Sequence, residues 1–372
     1  MVEERIGYGF VQEDQILYTP QTSSVASDID SISNAPSLLA RTASISNRSP
    51  SRSSSPSKRL RKTPATVTKR GDLALMKPRI EFRAFEDAEE LGLVLPQSIK
   101  DLWMRCEGRR NSGSTTSPFP LTAQDEQLVD ATLTDAFEMA KAWRSSTTEA
   151  HWISVVVGPI LHLLRRLSPF QGKDKTTNEN LTVLDITTVE ISPSELCPYS
   201  NEPDLFRDLD KKIDYAVGLR LARRHIRDLQ DATYATGTKS INQTSTFANL
   251  TPLFLNIEVK KRHVDRDPAI QLAAWVAAEF TKRRLEGYPL DMPVLAVEIE
   301  ADGWLLHVVC AQENPRRPAD FDLVFLGPLR IGETYSLPDT YRLLENLCDM
   351  AIWGQSVYRE WFEANVLARY GE

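Results

Sequence analysis

Residues 253–262 (LFLNIEVKKR) combine a strand pattern with two charged side chains suited to chemistry on a phosphate ester. Aliphatic residues alternate with Phe254, Asn256, Glu258 and Lys260, which is typical of a half-buried strand. This pattern puts Glu258 and Lys260 on one face, about 7 Å apart. A carboxylate can hold a hard metal ion, and an ammonium can stabilise charge that develops on phosphate oxygens.

Glu258 and Lys260 alone do not define a site, because a Glu-x-Lys triplet should occur about once by chance in a chain of this length. The alternative interpretation is a surface ion pair on an exposed strand face, worth ~0–1 kcal/mol. Neighbouring elements must supply the rest of the argument.

Two further acidic residues occur at positions that favour a site. Asp214 lies in a predicted strand over residues 211–219, where Ala216 and Gly218 share its face and leave room for a metal and a phosphate. Glu149 lies in the first turn of a helix predicted to start near Thr147 or Thr148. The helix dipole favours a carboxylate there whether or not it is functional.

The remaining periodicity alternates helices with strands, which predicts a central mixed sheet flanked by helices. A helix over 268–284 starts at an Asp-Pro pair, and a hairpin joins 293–300 to 304–312. Arginines at 220, 223, 224 and 227 form a basic cluster before a polar loop predicted over 231–249. Other predicted strands lie at 80–82, 181–191 and 321–329, and other helices at 97–106, 125–143, 147–167 (kinked at Pro159) and 339–370.

In this order the motifs resemble the PD-(D/E)xK nuclease superfamily and, more closely, a nuclease-like domain of many uncharacterised fungal proteins. The resemblance spans about residues 125–365. The motifs that carry it are 149–152 (EAHW), 158–161 (GPIL), 211–216 (KKIDYA), 240–243 (SINQ), 257–262 (IEVKKR) and 271–275 (QLAAW).

The resemblance implies a restriction-endonuclease-like fold and a role for each matched residue. Asp214 and Glu258 match the two acidic metal ligands, and Lys260 matches the catalytic lysine. Glu149 matches a helix acid that completes or orients the site, and Gln271 matches a polar residue of the following helix. With the carbonyl oxygen of Val259, the two ligands would bind Mg²⁺ or Mn²⁺.

Two features depart from the family pattern. No proline precedes Asp214, and a long polar insertion separates Asp214 from Glu258, where it could form a lid or a substrate loop. A lysine that acts as a base, rather than as a charge stabiliser, would need a strongly lowered pKa.

Charge divides the chain unevenly. Residues 1–40 carry −5 and residues 41–70 carry +9, which leaves −11 for residues 71–372 of a chain whose total is −7. An acidic body does not bind nucleic acid through bulk electrostatics, so contacts must come from the tail or from local basic clusters.

The predicted domains are a disordered Ser/Pro/Arg-rich tail over residues 1–74 and a nuclease-like domain over 75–372. In the tail, Lys58, Arg59, Arg61 and Lys62 form a basic cluster of the kind that nuclear import receptors bind; a solvated charge run is the alternative. The sequence shows no secretory signal and no apolar run long enough for a membrane span. We therefore expect a nuclear or cytoplasmic protein, with four unbridged cysteines and no membrane partner.

Three functions remain open from the sequence. The first is a metal-dependent nuclease that cleaves nucleic acid, with DNA favoured. The second is a catalytically weak or inactive nuclease-like domain that binds nucleic acid or protein. The third is an unrelated structural protein whose charged residues form surface ion pairs.

Overall fold

The computed structural model describes residues 64–112, 120–170, 181–200, 205–237, 240–261, 267–314 and 317–370. The predicted disordered tail, with its basic cluster at Lys58–Lys62, lies almost wholly outside these residues. In the described part, no helix is both long and apolar enough to cross a membrane.

A seven-stranded mixed sheet forms the centre of the domain, in the order β2-β9-β8-β7-β6-β5-β3. The β2–β9 and β6–β7 pairs are parallel, and the other neighbours are antiparallel. The described strands are β1 (Met76–Lys77), β2 (Ile80–Arg83), β3 (Leu181–Asp185), β4 (Tyr199–Ser200), β5 (Tyr215–Leu219), β6 (Leu253–Lys260), β7 (Val294–Glu300), β8 (Gly303–Asn314) and β9 (Arg317–Glu333).

Helices flank this sheet, which confirms the predicted fold class. Apolar residues form one core cluster on each side of the sheet. The described α-helices are α1 (Gln97–Ser112), α2 (Ala123–Trp143), α3 (Glu149–Trp152), α4 (Gly158–Leu164), α5 (Arg223–Thr236), α6 (Pro268–Leu285), α7 (Leu337–Trp353) and α8 (Arg359–Asn365).

Local capping chemistry fixes the helices that carry site residues. The Thr148 hydroxyl accepts a hydrogen bond from the His151 amide, so Thr148 rather than Thr147 caps α3. A π-helical segment, Ile153–Val157, joins α3 to α4 just before Pro159, where the sequence predicts a kink. Asp267 caps α6 by accepting from the Ala269 amide, with Pro268 in the first turn, as its residue order predicts.

The β7–β8 hairpin is present as predicted, with Glu300 paired to Gly303 across the turn. Three other predicted elements differ in extent. The strand predicted over 181–191 ends at Asp185, and the strand predicted over 211–219 begins at Tyr215, so Asp214 precedes β5. The helix predicted over 339–370 breaks into α7, a π-helical segment and α8.

Helix α5 occupies part of the predicted 231–249 loop, so that prediction is wrong over residues 231–236. Ile226 and Leu229 pack against the core from α5. They are three residues apart in a mostly polar stretch, so the apolar face of this helix is difficult to recognise in the sequence. Because Ala222 offers no capping side chain, the sequence gives little signal for the start of this helix.

The packed body begins before the predicted domain boundary at residue 75. Residues Arg70–Leu75 form a 3-10 helix, and Leu73 is fully buried. Arg70 donates to Asp267 at 2.6 Å and to Glu298 at 3.0 Å. The sequence places Arg70 in the basic tail, whereas two carboxylates of the body neutralise its charge.

Candidate active site

Strand β6 positions the site residues near the centre of the sheet. Seven of its eight residues are buried, because β5 and β7 flank it and α6 packs against it. The sequence predicts a half-buried strand, and the structure covers both faces instead. Glu258 is therefore only 1% exposed, and its carboxyl group is shielded from water.

Lys260 projects from the end of β6 into a group of oxygen atoms. Its Nζ donates to Glu258 Oε1 at 2.6 Å, to the Val259 carbonyl at 2.9 Å and to Glu149 Oε1 at 3.1 Å. Burial lowers the pKa of Lys260, but the carboxylates of Glu258, Glu149 and Asp214 outweigh burial and raise it above its ordinary value. The raised pKa keeps the side chain an ammonium at neutral pH, which suits a charge stabiliser rather than a base.

Asp214 lies beside Glu258, immediately before the neighbouring strand β5. Its Oδ2 accepts the Val259 amide at 2.8 Å, and its own amide donates to the Ile257 carbonyl. Burial raises the pKa of Asp214 to about 6, against the opposing effects of the Val259 amide and Lys260. Burial, together with the nearby charge of Asp214, raises the pKa of Glu258 well above its usual range.

Glu149 approaches the same group from the start of α3. Besides its contact with Lys260, its Oε2 accepts the Lys261 amide at 3.4 Å. Its side chain is 37% exposed, so it lies at the solvent side of the group, whereas Glu258 lies at the buried side.

Gln271 does not join this group through a direct contact. Its Nε2 donates to the Lys212 carbonyl at 2.9 Å, which ties α6 to the segment that leads into Asp214. This places Gln271 where it can hold the backbone before Asp214, away from the four charged side chains.

An open cleft of about 580 Å³ reaches two of the four charged side chains, whereas Glu258 and Lys260 are not among the residues that line it. Glu149 and Asp214 line it, together with one face of the helical run from α3 to α4. The sequence interpretation missed two further lining residues, Asp185 and His162. Burial and the charge of Arg165 lower the pKa of His162, so its ring is neutral at pH 7.

A sequence signal existed for Asp185, but none existed for His162. Asp185 is the last residue of a strand with alternating apolar residues, and it lies opposite Tyr215, the residue after Asp214. Its charge contributes to the raised pKa of Asp214. His162 lies on a largely apolar helix, where nothing in the spacing distinguishes a cleft residue from a core residue.

Lys261 is a third residue to which the sequence interpretation gave no role. It is 5% exposed, and its Nζ donates to the carbonyls of Trp143 and Thr147 at 2.7 and 2.8 Å. These bonds tie the end of α2 and the start of α3 to β6. Lys261 therefore helps to hold Glu149 against the site.

The donor set suits a hard divalent cation through oxygen atoms alone. Asp214, Glu258 and the Val259 carbonyl supply oxygens, and the buried Glu258 Oε2 has no hydrogen-bond partner within the described residues. Two buried carboxylates with raised pKa values are what a cation would relieve. Across the described ranges, however, no group of three or more His, Cys, Asp or Glu side chains is arranged to hold a metal ion.

Comparison with known families assigns most of the chain to one superfamily. The profile of the PD-(D/E)XK nuclease superfamily matches residues 101–359, which is more than half of the chain. The protein therefore belongs to the PD-(D/E)XK nuclease superfamily, and the predicted resemblance to this superfamily is confirmed. The match includes all of the predicted site residues. A search of curated proteins gives no match to this chain.

Proposed function

We propose that this protein is a metal-dependent nuclease that hydrolyses phosphodiester bonds in nucleic acid, with DNA as the favoured substrate. The observation that carries the proposal is the excess of buried acid at the cleft. Asp214 and Glu258 both have raised pKa values; Lys260 contacts Glu258 at 2.6 Å, and its charge only partly offsets the effect of burial on Asp214. Such unbalanced carboxylates are unfavourable for folding and are typical of catalytic sites.

The metal would be Mg²⁺ or Mn²⁺, held by Asp214, Glu258 and the carbonyl oxygen of Val259. When bound, such an ion acidifies a water molecule and polarises the scissile phosphate. Glu258 would contribute Oε2, which has no other partner in the described part of the chain. The hydrogen bond from the Val259 amide fixes the orientation of the Asp214 carboxylate.

Lys260 would stabilise the negative charge that develops on the phosphate oxygens. Its ammonium is already held at the cleft by Glu149 and Glu258, so little reorganisation is needed when the charge appears. Glu149 also keeps Lys260 in place when a metal competes for Glu258. The exposed position of Glu149 suits a residue that faces an incoming strand of nucleic acid.

A second candidate function is that of a nuclease-like domain that binds nucleic acid without cleaving it. The observation that favours it is the position of the Lys260 ammonium, which contacts Glu258 Oε1 and the Val259 carbonyl. These oxygens belong to two of the three groups that would hold a metal. In this case Lys260 would replace the metal permanently.

A cleavage assay on labelled DNA and RNA, single-stranded and duplex, with Mg²⁺, Mn²⁺ or EDTA, separates the two functions. For the nuclease we expect cleavage that EDTA abolishes. Lys260→Ala should lower the cleavage rate about 10²- to 10³-fold, as loss of a charge-stabilising group does elsewhere. Lys141→Ala, which removes an exposed lysine of α2 paired with Glu138, is the matched control and should cleave normally.

Two outcomes would contradict the nuclease proposal. The first is binding of substrate by the wild-type protein with no cleavage under any metal, which would favour the binding module. The second is equal cleavage by wild type and Lys260→Ala, which would mean that another site or a contaminant is responsible.

A further inference from the structure

The outer face of α5 carries a concentration of unpaired positive charge. Arg220, Arg223, Arg224 and Arg227 are all exposed. Within the described residues, none of the four has a carboxylate at ion-pair distance, although Arg224 contacts His225. Exposed arginines elsewhere in the body are commonly paired, as Arg83 is with Glu81 and Arg330 with Glu333.

Two of these arginines share one face of α5 with an amide and an aromatic side chain. Arg223, Arg227, Gln230 and Tyr234 follow the spacing i, i+4, i+7 and i+11, which places them on one face. All four are exposed, and Tyr234 is 91% exposed. At 1.5 Å per residue the stripe is about 17 Å long. We call these four residues the α5 stripe.

The stability of the helix does not explain this arrangement. Arg223 and Arg224 occupy the first turn, where the helix dipole disfavours positive charge. No acidic residue lies in that turn, and Ala222 provides no side-chain cap. An almost fully exposed tyrosine adds no packing energy either. The stripe therefore weakens the helix slightly and gains nothing inside the domain.

The surroundings of the stripe limit what can bind it. The opposite face of α5 is anchored in the core through Leu229, which is fully buried, so no apolar face is free to enter a lipid surface. Asp228 and Asp231 are also exposed on α5, so the positive charge is confined to its first two turns. A short cationic patch that ends in an aromatic ring matches a chain with regularly spaced phosphates and planar bases.

We propose that the α5 stripe binds a single-stranded segment of nucleic acid. Arg223 and Arg227 contact phosphates, where a guanidinium forms two parallel hydrogen bonds. Tyr234 stacks on an unpaired base. The inference rests on the proposed function, because it describes a second contact for the substrate of the cleft. Residues 215–219 of β5 connect Asp214 to this region, so the two contacts lie roughly 20 Å apart along the strand direction.

Binding is tested with the full-length protein in EDTA, which prevents metal-dependent cleavage. The probes are a fluorescein-labelled 20-nucleotide single-stranded DNA and the matching duplex, followed by fluorescence anisotropy over a range of salt. Variants are Arg223→Ala with Arg227→Ala, Tyr234→Ala, and Tyr234→Phe. The matched control is Arg110→Ala with Lys141→Ala, which removes the same charge from α1 and α2.

We expect the single strand to bind more tightly than the duplex. The double arginine variant should bind at least tenfold more weakly, and the slope of log K against log salt should fall by about 1.4, the value for two single-strand phosphates. Tyr234→Ala should weaken single-strand binding about tenfold, and Tyr234→Phe should not. The control pair should bind like wild type. No variant should unfold at a lower temperature than the wild-type protein, which keeps loss of binding separate from loss of folding.

Three results would overturn the inference: unchanged binding by the double arginine variant, an equal loss in the control pair, or α5-dependent binding to phosphatidylserine vesicles but not to nucleic acid.

A cleavage assay in Mg²⁺ with the same variants distinguishes failure of this inference from failure of the proposed nuclease function. If the wild-type protein binds nucleic acid through α5 but never cleaves it, the binding role of the α5 stripe is supported and the nuclease proposal is wrong. If the wild-type protein cleaves, and the α5 variants bind and cleave as it does, only the inference about the α5 stripe is wrong.

Discussion

Strand β6 carries two buried polar side chains, Asn256 and Glu258, two residues apart on the same face, and their electrostatic surroundings differ. Asn256 lies toward the middle of the strand against α6. Glu258 lies near its end, beside Lys260. Both belong to clusters that contain a buried acid and a base, so the two regions can be compared directly.

The Asn256 cluster is balanced. Glu279 forms an ion pair with Arg283, and its other oxygen accepts from Asn256 at 3.4 Å. Asn256 also accepts from the Trp275 indole at 3.1 Å. Arg283 donates in addition to the Met292 carbonyl at 2.7 Å. One negative charge faces one positive charge, and both oxygens of Glu279 have a partner.

The Glu258 cluster is not balanced. Asp214, Glu258 and Glu149 surround the single ammonium of Lys260. Glu258 Oε2 is buried without a partner among the described residues. Burial raises the pKa of Glu279 as well as those of Glu258 and Asp214, but only for Glu258 and Asp214 do neighbouring carboxylates add to the effect of burial. A cluster whose groups satisfy one another stabilises the fold. A cluster with surplus acid costs stability, and a bound cation would remove that cost.

The largest effect on stability is expected in the balanced cluster. Arg283→Met should lower the free energy of unfolding by about 3–5 kcal/mol, because it leaves Glu279 buried and unpaired. Urea denaturation measures the loss. The cleavage rate per folded molecule should not change, because Arg283 contacts none of the site residues.

The matched control for this prediction is the double variant Glu279→Leu with Arg283→Met. Replacing both charges by apolar groups of similar size should recover most of the loss. If the single variant were as stable as wild type, the cluster would not be a stabilising one, and the comparison would lose its reference.

A smaller and opposite effect is expected at the cleft. Asp214 has a pKa of about 6 in the folded protein against an ordinary value of 3.8. The folded state therefore holds this proton more tightly, and folding is penalised as the pH rises from about 4 to above 6. In EDTA at pH 7, Asp214→Asn should stabilise the protein by up to about 3 kcal/mol, and below about pH 4 the gain should vanish.

Thermal unfolding between pH 3.5 and 7.5 checks this prediction. Asp208→Asn, which changes an exposed aspartate before the site, should follow the wild-type curve. A destabilised Asp214→Asn variant at pH 7 would contradict the claim that surplus acid is a cost at the cleft.

Patterns that repeat along the chain could be predicted from the sequence, because periodicity and capping are local. They gave strand β6, the start of α6 at Asp267, the β7–β8 hairpin and the mixed sheet. The resemblance then selected Asp214, Glu258, Lys260 and Glu149, and the fold brings these four together. In each case a short stretch of residues contains the physical cause.

Features that depend on distant partners could not be predicted. The sequence does not show that β6 is covered on both faces, because this follows from the strand order. Nor does it show that Gln271 contacts the Lys212 carbonyl instead of the site, or that Arg70 pairs with Asp267 and Glu298. The raised pKa of Lys260 depends on carboxylates from three separate segments, which only the folded chain assembles.

Mn²⁺ binding at pH 7, measured by isothermal titration calorimetry on the wild-type protein and on Glu258→Gln, tests most directly whether the surplus acid serves a metal ion. We predict saturable binding to the wild-type protein and binding at least tenfold weaker to Glu258→Gln, which keeps the shape of the side chain and removes its charge. Absence of Mn²⁺ binding to the wild-type protein, or equal binding to both proteins, would contradict the assignment of Asp214 and Glu258 as metal ligands.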